Sequence, residues 1–270
     1  MNTLRKGDTG DAVCYLQTLL NRAIQMTVDG IFGPDTDKAV KAFQSANNLV
    51  VDGIVGIKTW TVLNNLALKT TWPVYNGKFL SESDLVSAAK VLGVELAVMK
   101  AVAEVESRGA GFIPGTDKPK ILFEGHVFWK RLKVYGIDPE KFVKGNEDIL
   151  YKSWTKKYYL GGEREYDRLG RATLIHSAAG NESASWGVFQ IMGYHWESLG
   201  YMSAYDFADS MWKSEAEHLK AFVRYIQVND LAKWIRDKDW VGFASRYNGL
   251  GYLENQYDTK MAEAYERYKS

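Results

Sequence analysis

A nine-residue segment occurs twice near the start of the chain. Val28-Asp-Gly-Ile-Phe-Gly-Pro-Asp-Thr36 returns as Val51-Asp-Gly-Ile-Val-Gly-Ile-Lys-Thr59, with Asp29 and Asp52 23 residues apart. Asp and Gly make a turn, and each Thr stands near the start of a helix. The helix after the first copy carries Ala39, Val40 and Phe43 on one face, and the helix after the second carries Trp60, Leu63 and Leu66. Before both, Asp11 to Ile24 places Val13, Leu16, Leu19 and Leu20 at helical spacing. Repeated turn-helix units at this spacing predict a small three-helix domain over residues 1–66 with two similar loops on one side, the kind of surface that binds a ligand.

Residues 67–80 lose periodicity and contain Pro73 and Gly77, the pattern of a linker. Ser81, with Asp84 three residues on, has the form of a capping box that opens a second and larger domain over 81–270. Its periodicity is mostly helical. Ile121-Leu-Phe123 is the candidate short strand, followed by a helix from Gly125 to Leu132, and nothing alternates regularly enough for a large sheet. The fold class expected is therefore mainly α.

Within this second part, one helix ends in an unusual way. Through Val98-Met-Lys-Ala-Val-Ala-Glu-Val-Glu106, about 100° per residue stacks Glu106 over Met99, Val102 and Ala103. Glu104 points the other way, in line with Lys100, and has an ordinary solvated role. A carboxylate on an apolar stripe is costly to bury unless paired or neutral, and that cost raises its pKa. An acid that keeps its proton near neutral pH is what glycoside cleavage needs. The competing reading is a helix-end Glu that bends to water or pairs with an Arg.

Composition narrows the rest. With net charge +1, no global field selects nucleic acid. The single Cys14, in a helix beside Val13, excludes an internal disulfide and reads as a buried structural thiol. The four histidines show no metal spacing, no Gly-x-Ser-x-Gly elbow is present, and neither a metal nor a cofactor is expected. The first residues lack the apolar run of a signal peptide, and no stretch approaches the roughly 20 apolar residues that span a bilayer. The expectation is synthesis in a cytoplasm, no membrane insertion, and exit only if something else opens the way. Aromatic residues form 13% of the chain; their faces suit the C–H groups of sugar rings, although they also fill cores. Tyr151 to Tyr159, basic and aromatic, reads most simply as a solvated helix face.

These residues resemble known families. Leu4-Arg-Lys-Gly-Asp, Leu16-Gln17, both repeats and Ala42-Phe-Gln44 resemble the peptidoglycan-binding domain with two Asp-Gly-x-x-Gly repeats. Residues 81–270 resemble the phage N-acetylmuramidases, modular endolysins within the lysozyme-like and lytic-transglycosylase group. Val105-Glu-Ser107 is similar to the Glu-Ser pair ending the catalytic helix there, Trp186-Gly-Val-Phe-Gln-Ile-Met192 to the segment lining the sugar cleft, and Arg246-Tyr-Asn-Gly-Leu-Gly251 to an element beside the active site. Pro119-Lys-Ile-Leu-Phe-Glu-Gly-His126 matches the muramidases more narrowly.

The resemblance implies an endolysin that binds peptidoglycan and cuts between N-acetylmuramic acid and N-acetylglucosamine. Glu106 is the general acid. Glu124, at the end of the short strand, is the first choice for a second carboxylate, with a dipole-favoured helix start as its alternative; Asp117 and Glu182 come after it. With no second carboxylate, the substrate's own N-acetyl or 6-hydroxyl group acts, and the enzyme is a lytic transglycosylase. Ser107, Gly187, Phe189, Gln190, Tyr247 and Asn248 are the expected substrate contacts. Gln190 either bonds an acetamido group or steadies the cleft wall, and Tyr247 and Asn248 either orient Glu106 or touch the muramyl residue. Phe112, Phe123, Trp186 and Trp196 either line subsites or fill the core. In the small domain, Asp29, Gly30, Phe32, Gly33, Asp52, Gly53, Gly56 and Trp60 are expected to meet the wall. The partners implied are glycan strands and stem peptides, with no nucleic acid, and the chain is expected to be monomeric. Its place of action is the wall, after release through a separate membrane pore. A further alternative is a catalytically dead wall binder.

Overall fold

The computed structural model describes residues 3–269 except 22, 23, 25, 61, 64–76, 108 and 109. Among the described residues the chain is mainly α, with one small three-stranded sheet. It forms two compact units: residues 1–71 with 197–202, and residues 72–196 with 203–270. Of the predicted linker 67–80, residues 67–76 lie outside the described residues, as does Leu66. The stretch beyond them is held to the larger unit: the Leu80 N–H donates to the Glu215 carboxylate (2.9 Å), and the Lys78 carbonyl accepts from the Glu215 N–H (2.9 Å).

In the small unit, helix α1 (Asp11–Leu20), helix α2 (Pro34–Ala46) and helical residues 57–60, 62 and 63 surround one core. Val13, Leu16, Leu20, Phe32, Val40, Phe43, Val55, Trp60 and Leu63 fill it. Helix α1 stops at Leu20, short of the predicted Ile24. Cys14 is half-buried rather than buried.

The repeats are built around two glutamines. The Gln17 side-chain nitrogen donates to Asp29 Oδ1 (2.7 Å), the Ile31 carbonyl (3.1 Å) and Thr36 Oγ1 (3.0 Å), while its oxygen accepts from the Gly30 N–H (2.8 Å). Gln44 repeats the pattern with Asp52 Oδ1 (2.9 Å), the Ile54 carbonyl (2.9 Å), Thr59 Oγ1 (3.3 Å) and the Gly53 N–H (2.9 Å). Each aspartate also accepts the N–H two residues on, closing an Asx turn. Gly30 and Gly53 take φ of 72° and 75° there, where a Cβ is disfavoured. The Gln17 hydrogen bond holds the Asp29 carboxyl below the ordinary value, and the Ile54 N–H does the same for Asp52. These turns are therefore favoured above the carboxylate range and weaken as pH falls through the lowered values. Gln17→Leu strands the Gly30 N–H and is expected to cost the small unit about 1–3 kcal/mol, read as faster hydrogen exchange at the Gly30 amide; unchanged exchange would count against the clamp.

The larger unit starts as predicted. Ser81 and Asp84 form a full capping box on α3 (Glu82–Leu92), which ends at Gly93. Helix α4 (Leu96–Glu106) buries Val98, Met99, Val102, Ala103 and Glu106 along one stripe. Strand β1 (Ile121–Phe123) pairs antiparallel with β2 (Ala184–Trp186), and β2 with β3 (Ile191–Met192). Helices α5 (Gly125–Val134), α6 (Arg164–Ile175), α7 (Ser177–Glu182), α8 (Ala204–Lys213) and α9 (Glu215–Val228) follow. The chain closes with α10 (Ala232–Arg236), α11 (Trp240–Asn248), α12 (Tyr252–Asn255) and α13 (Tyr257–Tyr268). Leu219, Phe222, Val223 and Ile226 of α9 are wholly buried in the core. The Gly180–Gly187 stretch contains the end of α7 and all of β2. Tyr151–Tyr159 is not a helix; it is a loop.

Candidate active site

Glu106 is 6% exposed at the last position of α4. Its Oε1 accepts a hydrogen bond from Asn248 Nδ2 at 2.9 Å. Glu104, two residues earlier, is exposed and bonds Arg267 and Tyr268 of α13. The division of labour between the two glutamates follows the helical wheel.

Ser107, the next residue, lines a cleft of about 290 Å³ with Ile113, Pro114, Lys120, Ile121, Gly162, Gly187, Val188 and Gln190. The far wall is the turn between β2 and β3. Tyr247, beside Asn248, donates its hydroxyl to the Phe189 carbonyl in that turn (3.2 Å). The end of α11 thus holds both the buried acid and the wall. Gln190 sits at φ 49°, unusual for a residue with a side chain. Its amide accepts from Ser185 Oγ (2.8 Å) and donates to the Gly187 carbonyl (2.7 Å). These bonds tie Gln190 to the cleft wall that it lines.

Behind the turn stands His218, a residue sequence reasoning passed over. Its Nδ1 accepts the Val188 N–H (3.2 Å), so its Nε2 carries the proton and donates to the Met211 carbonyl (2.7 Å). Burial lowers its pKa and keeps the ring neutral. Gly187 has φ 70°, and a Cβ there would lie 2.6 Å from the His218 ring. The missing side chain makes room for His218 on the inner side and borders the cleft on the other. Glu215, three residues earlier, accepts the Gly111 N–H (2.6 Å) and ties the neighbouring loop to α9.

Several expected contacts lie elsewhere. Phe189 is buried and stacks on Phe222 (4.4 Å), so its ring is core and only its carbonyl serves the wall. Phe112, Phe123 and Trp186 are core as well. Glu124 accepts the Tyr159 hydroxyl (2.7 Å), and its other oxygen lies 3.2 Å from His126 Nδ1. Burial pushes its pKa up. It is not among the described residues that line the cleft, and the geometry makes it an anchor for the 151–159 loop at the start of α5. Glu182 is fully buried, bonded by Arg131 (2.6 Å), Tyr135 (2.8 Å) and the Trp196 indole (2.8 Å). Asp117 pairs with Lys78 at the surface (2.6 Å). No acidic side chain is among the described residues lining the cleft.

In the small unit, Phe32 and Trp60 are core and Gly30 and Gly53 are turn residues. Gly56 is half-buried, and its carbonyl accepts the Trp60 N–H (3.0 Å). Asp52 serves the second Gln clamp. Asp29 and Gly33 border a groove of about 730 Å³ that also takes in Met26, Ile31, Pro34 and Lys38. Among the described residues, no helix is long and apolar enough to cross a membrane, and no cluster of three or more His, Cys, Asp or Glu could hold a metal.

Comparison with known proteins agrees with this layout. Residues 95–269, more than half of the chain, match the N-acetylmuramidase family, and residues 9–63 match a peptidoglycan-binding domain family. The solved structure of the Burkholderia AP3 phage endolysin is similar over 99% of this chain and 99% of its own, with 40% identity and a TM-score of 0.68. An uncharacterised protein of Kitasatospora aureofaciens is 43% identical over 75 residues, 27% of this chain and 64% of that protein. The zinc D-Ala-D-Ala carboxypeptidase of Streptomyces albus G is 40% identical over 76 residues, 27% of this chain and 30% of that enzyme. The chain thus spans less than two thirds of the length of either curated relative.

Proposed function

This chain belongs to the N-acetylmuramidase family, and from that premise we propose that it is a modular endolysin: the small unit binds peptidoglycan, and the larger unit hydrolyses the bond between N-acetylmuramic acid and N-acetylglucosamine. The observation that carries the reading is Glu106, buried at a helix end, hydrogen-bonded by Asn248, with Ser107 opening onto the cleft.

The Asn248 amide fixes the Glu106 carboxyl at the helix end and steadies the carboxylate left after transfer. Glu106 gives its proton to the glycosidic oxygen of the leaving sugar while oxocarbenium-like charge grows on the muramyl ring. Water then attacks the anomeric carbon, and the proton it gives up restores the acid. Asn248 and Tyr247 act as positioning residues, one on the acid and one on the wall. Domain limits of 1–66 and 81–270 fit this division. Release through a separate membrane pore, action in the periplasm and contact with stem peptides belong to the same reading.

A second reading is favoured by one observation: Glu124, Asp117 and Glu182, the candidates for a second carboxylate, are each bonded to other side chains, and with none of them to activate water the muramyl 6-hydroxyl would take its place and give a 1,6-anhydro product. Mass spectrometry of digested sacculi decides. Muramyl reducing ends are expected. Anhydro ends would replace hydrolysis by transglycosylation, and new amino groups without either would overturn glycan cleavage.

A further inference from the structure

We propose that a pocket of about 450 Å³ formed by helices α6, α7 and α8 is a second glycan site, one that holds a β-1,4-linked N-acetylhexosamine strand outside the cleft. The inference rests on the reading that this chain works on peptidoglycan. It concerns residues that the catalytic geometry leaves without a role, since this pocket and the cleft share no lining residue.

The rim is aromatic and open. Tyr205 is 70% exposed and Trp212 is 40% exposed. Both lie on α8, seven residues apart, which is two helical turns or about 10 Å along the axis. That span is about the length of one disaccharide repeat. Asp209 stands between them and faces the same pocket, with Ser177 opposite on α7. Two aromatic residues set about one repeat apart along one helix, with polar groups between them, suit a saccharide, whose C–H faces stack on aromatics and whose edges hydrogen-bond. The rings are partly preset: Tyr166 donates its hydroxyl to the Pro119 carbonyl (2.7 Å) and meets Trp212 edge-on at 5.5 Å. Asp209 is paired with Lys213 (3.0 Å), so no surplus charge selects an ionic partner.

A second observation is independent of the rings. Gly170 lies in the middle of α6, where glycine weakens a helix relative to alanine. Its φ is ordinary, and beyond its chain neighbours and its own helix backbone no atom lies within 4 Å of the place a Cβ would occupy. Packing does not require glycine there. A side chain at this position would stand in the pocket, so the glycine keeps it open.

The test uses the full chain carrying Glu106→Gln, with the uncharged N-acetylglucosamine tetramer as probe. The Trp212 indole resonance, assigned by its loss in Trp212→Phe, is expected to shift and saturate. Gly170→Leu should abolish that shift, keep or raise the thermal midpoint, and leave cleft resonances responsive. Trp212→Ala is the second variant, and sacculus pelleting should weaken about three- to tenfold in both, the range of one lost aromatic contact. A silent Trp212 indole while cleft resonances move overturns the second site and leaves the proposed function standing. Binding at neither place overturns the glycan reading itself. Self-association abolished by Trp212→Ala, with no sugar response, would assign the pocket to a second copy of the chain and overturn the proposal.

Discussion

Glu106→Gln is expected to lower glycan cleavage by about 10²–10⁴-fold, with the fold and wall binding unchanged. Glutamine has the size of glutamate, and its carbonyl can still accept the Asn248 Nδ2 hydrogen bond seen at 2.9 Å. What it lacks is a proton to give at the glycosidic oxygen. The small unit carries its own core and its own paired Gln clamps, so sacculus pelleting should persist. Turbidity clearing of sacculi measures the loss, and pelleting and thermal unfolding check the controls. An undiminished rate would remove Glu106 from the chemistry and leave a wall binder with an unexplained cleft. Asn248→Ala should reduce the rate less, since it loosens the acid without removing it.

Sequence periodicity placed Glu106 well because a helix stripe is a local property: Met99, Val102 and Ala103 are buried beside it as the 100° rotation requires. The capping box at Ser81 and the strand Ile121–Phe123 were legible for the same reason. Roles that depend on distant partners were not. The bonds that Asp29 and Asp52 make to Gln17 and Gln44, 12 and 8 residues upstream, could not be read from the repeat itself. The unequal offsets hid the symmetry. His218 is a lone histidine on an apolar helix, and only the fold brings Val188 and Gly187 against it. Glu124 follows a strand as a cleft carboxylate might, yet Tyr159, 35 residues on, takes one of its oxygens.

Arg168→Met is expected to destabilise the larger unit by about 3–5 kcal/mol, because it leaves a buried carboxylate without its cation. Arg168 and Glu165 are both almost fully buried and meet at 2.8 Å one turn apart on α6. Neither is an isolated charge. Arg168 also donates to the Phe123 carbonyl (2.9 Å) and the Asp148 carbonyl (2.8 Å). Glu165 accepts the N–H groups of Phe123 (3.1 Å), Leu160 (2.7 Å) and Gly161 (3.0 Å). The pair therefore ties β1 and the 160–161 loop to one helix, next to Ile121 and Gly162 in the cleft. Apolar replacement of both residues should recover little, since three backbone N–H groups would lose their acceptor. Urea unfolding followed by near-ultraviolet circular dichroism measures the change, and a loss under about 1 kcal/mol, the size of an exposed pair, would contradict it. Cleavage should fall in Arg168→Met only as far as the folded fraction and cleft shape fall, while in Glu106→Gln it falls with stability intact; the two variants separate the frame of the site from its proton donor.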